Sequence, residues 1–369
     1  MSLLKAAPIL VAALVWAAPL QAQVTPAQIA ARDGWAALRE GRNQDAAAAF
    51  AKALDAEPRD PSLHLGAGVT AFLLGQPTVA RHALERALSL APALAPASLL
   101  LGDILYRGSD VEGALRVVED ALRHAPSDAT LLARVERLRR ESALHSSYFA
   151  SHGARFTVLF EGPADEALAS QALEMLEDAY WRVATALALY PEQVITVILY
   201  TREQFRDVTR SPAWAAGSYD GRIRVPVRGA LDDARELERV LIHEFTHALV
   251  QAVAPRGVPV WLHEGLAVAF EPSGGAWADG QLARSTLRLP MTRLAGSFES
   301  LSTEEAGVAY AQSGALVAAL FERGGASAIG AMLQDIARGD AFAVAFERSF
   351  FMPFDDFVAS LATPVDLLR

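Results

Sequence analysis

The chain has 369 residues and not one cysteine. That absence excludes disulfides, iron–sulfur clusters, thiol nucleophiles, cysteine-based zinc sites and a lipid on an N-terminal cysteine. A metal, if bound, must be held by His, Asp or Glu. No block of Lys and Arg stands out, and the formal net charge is −10, from 33 Lys and Arg against 43 Asp and Glu. A nucleic-acid binder shows a basic face, so nucleic acid is not expected as a partner. Beyond the first residues no stretch reads as long and apolar enough to span a membrane. What is present is ordinary for a globular protein: 52% apolar and 21% charged residues, which excludes a disordered or fibrous chain. At about 100–200 residues per domain, the length predicts two or three domains.

Residues 1–22 (MSLLKAAPILVAALVWAAPLQA) place one positive charge, Lys5, ahead of an apolar run from Ala6 to Leu20, followed by small residues. This is the pattern of a secretory signal peptide. Crossing a bilayer as a helix takes about 20 apolar residues. The run has 15 and includes Pro8 and Pro19, so cleavage after Ala22 is expected rather than a retained anchor. The expected location is exported, periplasmic or secreted, with no stable membrane span after cleavage.

The next segment repeats itself. Pro58, Pro92 and Pro126 stand 34 residues apart, and so do Gly34, Gly68 and Gly102. Ala53, Ala87 and Ala121 keep the same period, as do the larger Phe50, Leu84 and Val118. Gly41 and Gly75 recur in step, with Ser109 in the third copy. Each copy reads as helix, turn, helix and a proline-marked exit. Small residues let the two helices approach, and proline cannot continue a helix. A single pair cannot bury its own apolar face, whereas stacked pairs can. The segment resembles tetratricopeptide (TPR) repeats over about residues 26–128. It departs at the early Trp and Tyr positions, which are small or aliphatic here. A further helix from Ala129 to Ser146 is expected to cap the array. The segment reads either as a helical spacer or as a groove for a peptide or partner protein.

After Ser147 the pattern changes. Arg155–Glu161 and Val194–Tyr200 read as strands, the second nearly all apolar and so central in its sheet. Residues 164–189 read as one long helix. Thr201 is a candidate N-cap for a helix over Arg202–Thr209. Residues 217–227 (GSYDGRIRVPV) read as a turn and a strand, with Pro226 arguing for an edge strand. From Asp232 onward the pattern is helical. Strands followed by helices predict an α+β domain.

That domain carries the chemistry. Residues 243–247 are His243-Glu244-Phe245-Thr246-His247, an H-E-x-x-H motif. Residues i and i+4 share a helix face, so both imidazoles can reach one metal ion. Glu244 sits one step round, placed to take a proton from a metal-bound water. The uncharged neighbours suit a buried helix, and charge falls only in its early turns, at Arg235, Glu236, Glu238 and Arg239. A second helical stretch, WLHEGLAVAFE over 261–271, offers Glu264 as third ligand, 17 residues beyond His247. Two imidazoles and a carboxylate leave zinc an open position. His263 is the rival ligand and points about 100° away on a helix. Gly265 is expected to let this helix pack closely on the first. Glu271, on the same face as Glu264, reads as a supporting or surface residue.

HEFTHALV followed by WLHEGLA resembles the gluzincins, zinc metallopeptidases with a glutamate third ligand, and in particular the peptidase MA-like domain of bacterial proteins. The resemblance covers about residues 150–360. It implies His243, His247 and Glu264 as ligands of Zn2+ and Glu244 as the catalytic base. The interval from His247 to Glu264 is a little shorter than in the best-known gluzincins. Val268 stands where thermolysin-like enzymes carry an orienting aspartate, so another residue must support the ligands.

The fold class expected is therefore multi-domain: a signal peptide over 1–22, an all-α TPR solenoid over 26–146, and an α+β zincin-like metallopeptidase domain over 150–369. The expected function is peptide hydrolysis through a zinc-bound water activated by Glu244. An extended peptide or protein substrate would lie along an edge strand, with 219–227 the candidate. Tyr310 is a candidate oxyanion donor. The alternative is a non-catalytic TPR scaffold with a degenerate metallopeptidase-like domain. The intact Glu244 favours the enzyme, since a scaffold needs no base. His64, His82, His124, His145 and His152 read as surface or cap residues. Trp181, Trp214 and Trp261 read as packing residues, and Gly324-Gly325 and residues 350–354 as turns.

Overall fold

A computed structural model describes residues 24–209, 216–228, 233–298 and 300–361. The expected signal peptide, Trp214 and the last eight residues lie outside the described residues.

The first part is a stack of helix pairs: α1 (Pro26–Arg39) with α2 (Asn43–Ala56), α3 (Pro61–Leu73) with α4 (Pro77–Leu90), and α5 (Ala95–Arg107) with α6 (Val111–His124). The single helix α7 (Ala129–His145) packs on α6. The 34-residue period has a direct packing meaning. The repeating glycine of each first helix faces the repeating large residue of the second. A Cβ on Gly34, Gly68 or Gly102 would come within 3.0, 2.7 and 2.9 Å of Phe50, Leu84 and Val118 respectively. All three large residues are buried, as are Ala53, Ala87 and Ala121. Turns between paired helices need a left-handed residue, and Gly41 and Gly75 supply it at φ 75° and 69°. Ser109 adopts the same conformation at φ 65°.

The second part opens with β1 (Phe149–His152) and β2 (Phe156–Phe160), a short 3₁₀ turn, and the long helix α8 (Glu166–Leu187). Then come β3 (Ile195–Thr201), α9 (Arg202–Thr209), β4 (Ser218–Tyr219) and β5 (Ile223–Arg228). The sheet order is β1-β2-β3-β5-β4. The strand pairs β2–β3 and β3–β5 are parallel, while β1 and β4 run antiparallel at the two edges. β3 is central, as its apolar run predicts. β1 is short and mostly exposed, and left no strand signal. Thr201 caps α9, its Oγ accepting from the Gln204 amide at 3.2 Å.

The Pro226 expectation needs correction. β5 lies inside the sheet, between β3 and β4. Proline is tolerated because β4 pairs only with Ile223 and Arg224, so the strand is an edge again by residue 226. The true edge is Ser218–Tyr219.

Helices complete the chain: α10 (Ala234–Val253), α11 (Val260–Phe270), α12 (Gly274–Arg284), α13 (Met291–Leu294), α14 (Thr303–Ala337), α15 (Phe342–Phe350) and α16 (Phe354–Leu361). The Gly324-Gly325 turn is a break within α14, with Gly325 at φ 75° and ψ 167°. By length and composition α14 is apolar enough to cross a membrane, contrary to the expectation that no later stretch would be. Here its apolar residues, among them Val308, Val317, Leu320, Ile329 and Met332, are buried in the core.

The two faces of β3 meet different partners. Val197 and Leu199 join the large core built with α8, α10, α11 and α14. Ile198 and Tyr200 pack with Phe205 and, from the end of α7, Leu144. Trp261 is buried and stacks on Phe354 at 5.4 Å. Trp181 is not a packing residue: it is 52% exposed, with the Arg155 guanidinium 4.5 Å from its ring centroid.

Candidate metal centre

Asp233 starts α10, its carboxylate accepting from the Arg235 amide at 2.9 Å. One face of the helix, including Leu241, Ile242, Phe245 and Leu249, is buried in the core. This fixes the helix rotation and points His243 and His247 together, one turn apart. α11 crosses next to it and brings Glu264. Gly265 is what admits this approach, but against α14 rather than α10: a Cβ there would meet the Ser313 carbonyl oxygen at 2.3 Å.

The three groups converge on one point. The Nε2 atoms of His243 and His247 are 3.2 Å apart. Glu264 Oε2 is 3.2 Å from His247 Nε2 and 3.5 Å from His243 Nε2. Ligands bound tetrahedrally to zinc at about 2.0–2.2 Å stand roughly 3.3–3.6 Å from one another. Glu264 Oε2 is buried between the two imidazoles, and a buried carboxylate is costly unless a cation or a donor meets it. Among the described residues, His243, His247 and Glu264 form the group able to hold a metal ion. The residues present therefore fit zinc in donor type, number and spacing.

The electrostatics agree. Burial works against charge on His243, yet Glu264 and Glu271 more than offset it and raise its pKa to about 10. Burial likewise opposes a charged Glu264, but His247 and His243 hold it well below the usual carboxylate range. Carboxylates set around the imidazole favour positive charge at this point. His263 is pushed the other way, to about 4, by burial and by His247. Its ring lies 5.8 Å from that of His247 and outside the three-ligand group.

Glu244 is 6% exposed, and burial raises its pKa. It faces the backbone of the sheet edge: a Cβ on Gly217 would stand 2.5 Å from Glu244 Oε1. A cavity of about 630 Å³ opens beside His243 and Glu244, lined in part by Val240, Val268, Trp277, Ala306 and Tyr310. The Tyr310 ring is 6.1 Å from that of His243 and 5.4 Å from Phe298.

Glu271, expected as a supporting or surface residue, supports His243, and Arg239, to which the sequence reading gave no role at the site, supports Glu271 in turn. Glu271 Oε1 is 2.6 Å from His243 Nδ1. Its other oxygen, Oε2, accepts from Arg239 at 3.1 Å. Arg239 also donates to Glu236 at 2.7 Å. A carboxylate on the far nitrogen fixes the tautomer and ring angle of a ligating histidine. The signal was available in the spacing: Glu271 is seven residues beyond Glu264, two turns on, and Arg239 is four before His243.

Comparison with known proteins bears on the first part of the chain. A family model for tetratricopeptide repeats matches residues 32–95 and 74–129. Interferon-induced protein with tetratricopeptide repeats 3 of Mus musculus is 30% identical over 118 residues, which is 31% of this chain. The chain spans 29% of the length of that relative. Two solved structures are also similar. The first TPR of Spaghetti (RPAP3), bound to an HSP90 peptide, is 20% identical with a TM-score of 0.31. The first TPR domain of the human RPAP3 protein is 21% identical with a TM-score of 0.30. Each match covers 32% of this chain and 95% of the other. The N-terminal region of this chain carries tetratricopeptide repeats.

Proposed function

We propose that this protein is an exported zinc metallopeptidase, periplasmic or secreted, with its repeats serving substrate or partner recognition. One observation carries the reading: the 3.2, 3.2 and 3.5 Å triangle of His243, His247 and Glu264, closed on a buried carboxylate oxygen. The resemblance of HEFTHALV and WLHEGLA to the gluzincins supports the same conclusion.

His243, His247 and Glu264 would hold zinc, which would supply Lewis-acid chemistry and a water made acidic near neutral pH. The chain's own residues do the rest. Burial raises the proton affinity of Glu244, which suits a base that must hold a proton and return it to a leaving amine. Glu271 holds the His243 ring in place. Tyr310, on the cavity wall, is the candidate donor to the developing oxyanion. The sheet edge at Ser218–Tyr219 is the place where an extended peptide could add as a strand.

Two measurements test this. The purified protein is expected to hold about one zinc per chain, lost on Glu264→Ala. Glu244→Gln is expected to keep the zinc and lose hydrolysis of unfolded casein by about 10²–10⁴-fold. A zinc-free wild type after reconstitution ends the reading, and so does a fully active Glu244→Gln.

A second reading has its own support. The tetratricopeptide repeats matched over residues 32–129 suggest a protein-interaction role. On that reading the protein is a repeat scaffold for a protein partner, and its second part no longer cleaves. A zinc-loaded protein with no hydrolase activity toward unfolded proteins would favour it.

A further inference from the structure

The repeats touch the second part of the chain. The turn between β4 and β5 sits against α5 and α7, and the contact is made of buried charge. Arg222 and Arg224 donate to Glu141 Oε1 at 3.1 and 2.9 Å. The Tyr106 hydroxyl donates to Glu141 Oε2 at 2.7 Å and accepts from Arg224. Both guanidiniums stand over the Tyr106 ring, at 5.2 and 5.7 Å. Arg224 also pairs with Asp220. Tyr106, Glu141, Arg222 and Arg224 are each 1–2% exposed. Arg134 and Arg137 of α7 also stand near the Tyr106 ring, at 5.3 and 5.7 Å, so the buried Glu141 carboxylate sits among several cations and losing it would leave Arg222 and Arg224 without their shared partner. At the turn, Gly221 at φ 107° lies so close to Arg107 that a Cβ would stand 2.5 Å from the Arg107 Cγ.

A second feature points the same way. The turn position that is glycine in the first two repeats is Ser109 in the third, in the same left-handed conformation. That conformation is unfavourable for serine. What serine provides is its hydroxyl, which bonds Thr196 of β3, while the backbone carbonyl at the same turn accepts from Arg222 at 3.3 Å. The last repeat is thus shaped for this contact.

The hairpin it grips borders the candidate site. β4 is two residues long and pairs only with Ile223 and Arg224. So short a pairing is marginal without other support. Ala216 and Gly217, just before it, line the cavity beside Glu244. We infer that Tyr106 and Glu141 of the repeat region are positioning residues. They fix the β4–β5 hairpin and so set the sheet edge along which an extended peptide is bound. This role rests on the metallopeptidase reading, while the hairpin contact itself does not.

The test uses the full chain with Tyr106→Phe, which removes one oxygen, and Glu141→Gln, which removes one charge. Three quantities are read: zinc content, amide exchange over residues 216–228, and the affinities of acetohydroxamate and a tripeptide hydroxamate for the zinc-loaded protein. Acetohydroxamate reports the metal alone, and the tripeptide adds the edge strand. Zinc content and acetohydroxamate affinity are expected to stay within about twofold of wild type, and tripeptide affinity to fall at least about tenfold. Exchange at 216–224 is expected to quicken at least about tenfold with α10 unchanged. Unchanged exchange in Tyr106→Phe overturns the proposal, as does an equal fall in both affinities. A wild type without zinc removes the metal reading, and the exchange comparison then still decides whether the repeats hold the hairpin.

Discussion

Glu271 Oε1 lies 2.6 Å from Nδ1 of His243, on the side of the ring away from the metal-binding point. That contact decides which nitrogen of His243 is available as a ligand. With Nδ1–H donating to the carboxylate, Nε2, which points toward Glu264 and His247, is the nitrogen left for a metal to take in place of its proton. Arg239, paired with both Glu271 and Glu236, holds the carboxylate in turn.

Removing the Glu271 carboxylate is expected to weaken zinc binding without abolishing it. Loss of such a partner typically costs about 10–100-fold in metal affinity. Glu271→Ala should fall in that range in competition with a chelator of known affinity. Glu271→Gln, which keeps an oxygen acceptor, should lose less. Equal losses in the two variants would show that the hydrogen bond is not what matters.

Two glycines in the second part should respond oppositely to alanine. At Gly265 the new methyl meets backbone, the Ser313 carbonyl, at 2.3 Å. Backbone cannot step aside, so α11 and α14 must separate, and Gly265→Ala is expected to cost about 1–3 kcal/mol or more. At Gly280, inside α12, the nearest atom is the far end of the Arg284 side chain at 3.2 Å. That end moves freely, so Gly280→Ala is expected to gain roughly 0.5–1 kcal/mol from helix propensity. Chemical denaturation midpoints at a constant m-value check both signs.

Stability should fall in mild acid through His145. Burial, opposed by Glu141, lowers its pKa to about 4, and its ring nitrogen sits 2.7 Å from the Tyr200 hydroxyl. The folded pKa is below the unfolded value, so the unfolded chain takes up the proton first as pH drops. The contribution is fully present above about pH 6.5 and is lost as pH falls toward 4, on the order of a few kcal/mol at most. His145→Gln should flatten the stability profile across that window. A variant with the wild-type slope would place the acid sensitivity elsewhere.

The cap of α7 offers a cleaner measure of the repeat end. Asp128 accepts from the Thr130 and Leu131 amides at 2.9 and 3.1 Å. Asp128→Ala is expected to destabilise by about 1 kcal/mol. Because Glu141 lies farther along the same helix, added exchange confined to its first turn would leave the hairpin contact intact. Spread of that exchange to residues 216–224 would show that α7 and the hairpin move as one unit.

Much of this molecule was legible as sequence because its signals are local or periodic. The 34-residue spacing of glycine, alanine and proline encodes the helix pairs, since each pair must repeat the same close contact to stack. The H-E-x-x-H spacing brings two imidazoles to one face because a helix turns once in about four residues. The apolar run of β3 announced a central strand.

Tertiary structure alone decided the rest. Glu271 could be placed on the face of Glu264 from spacing. Whether it met His243 or solvent depended on how α11 crosses α10, which Gly265 sets through a contact with α14. Pro226 marked an edge in sequence, but β4 covers only part of β5, and no local signal reports how far a two-residue strand extends. Tyr106, Glu141, Arg222 and Arg224 looked like scattered residues of two separate regions. Their pairing spans 81–118 residues of chain, and only the folded contact brings such distant charges out of water together. Local geometry is written in neighbouring residues, whereas a buried ion cluster between distant segments exists only once both surfaces have formed.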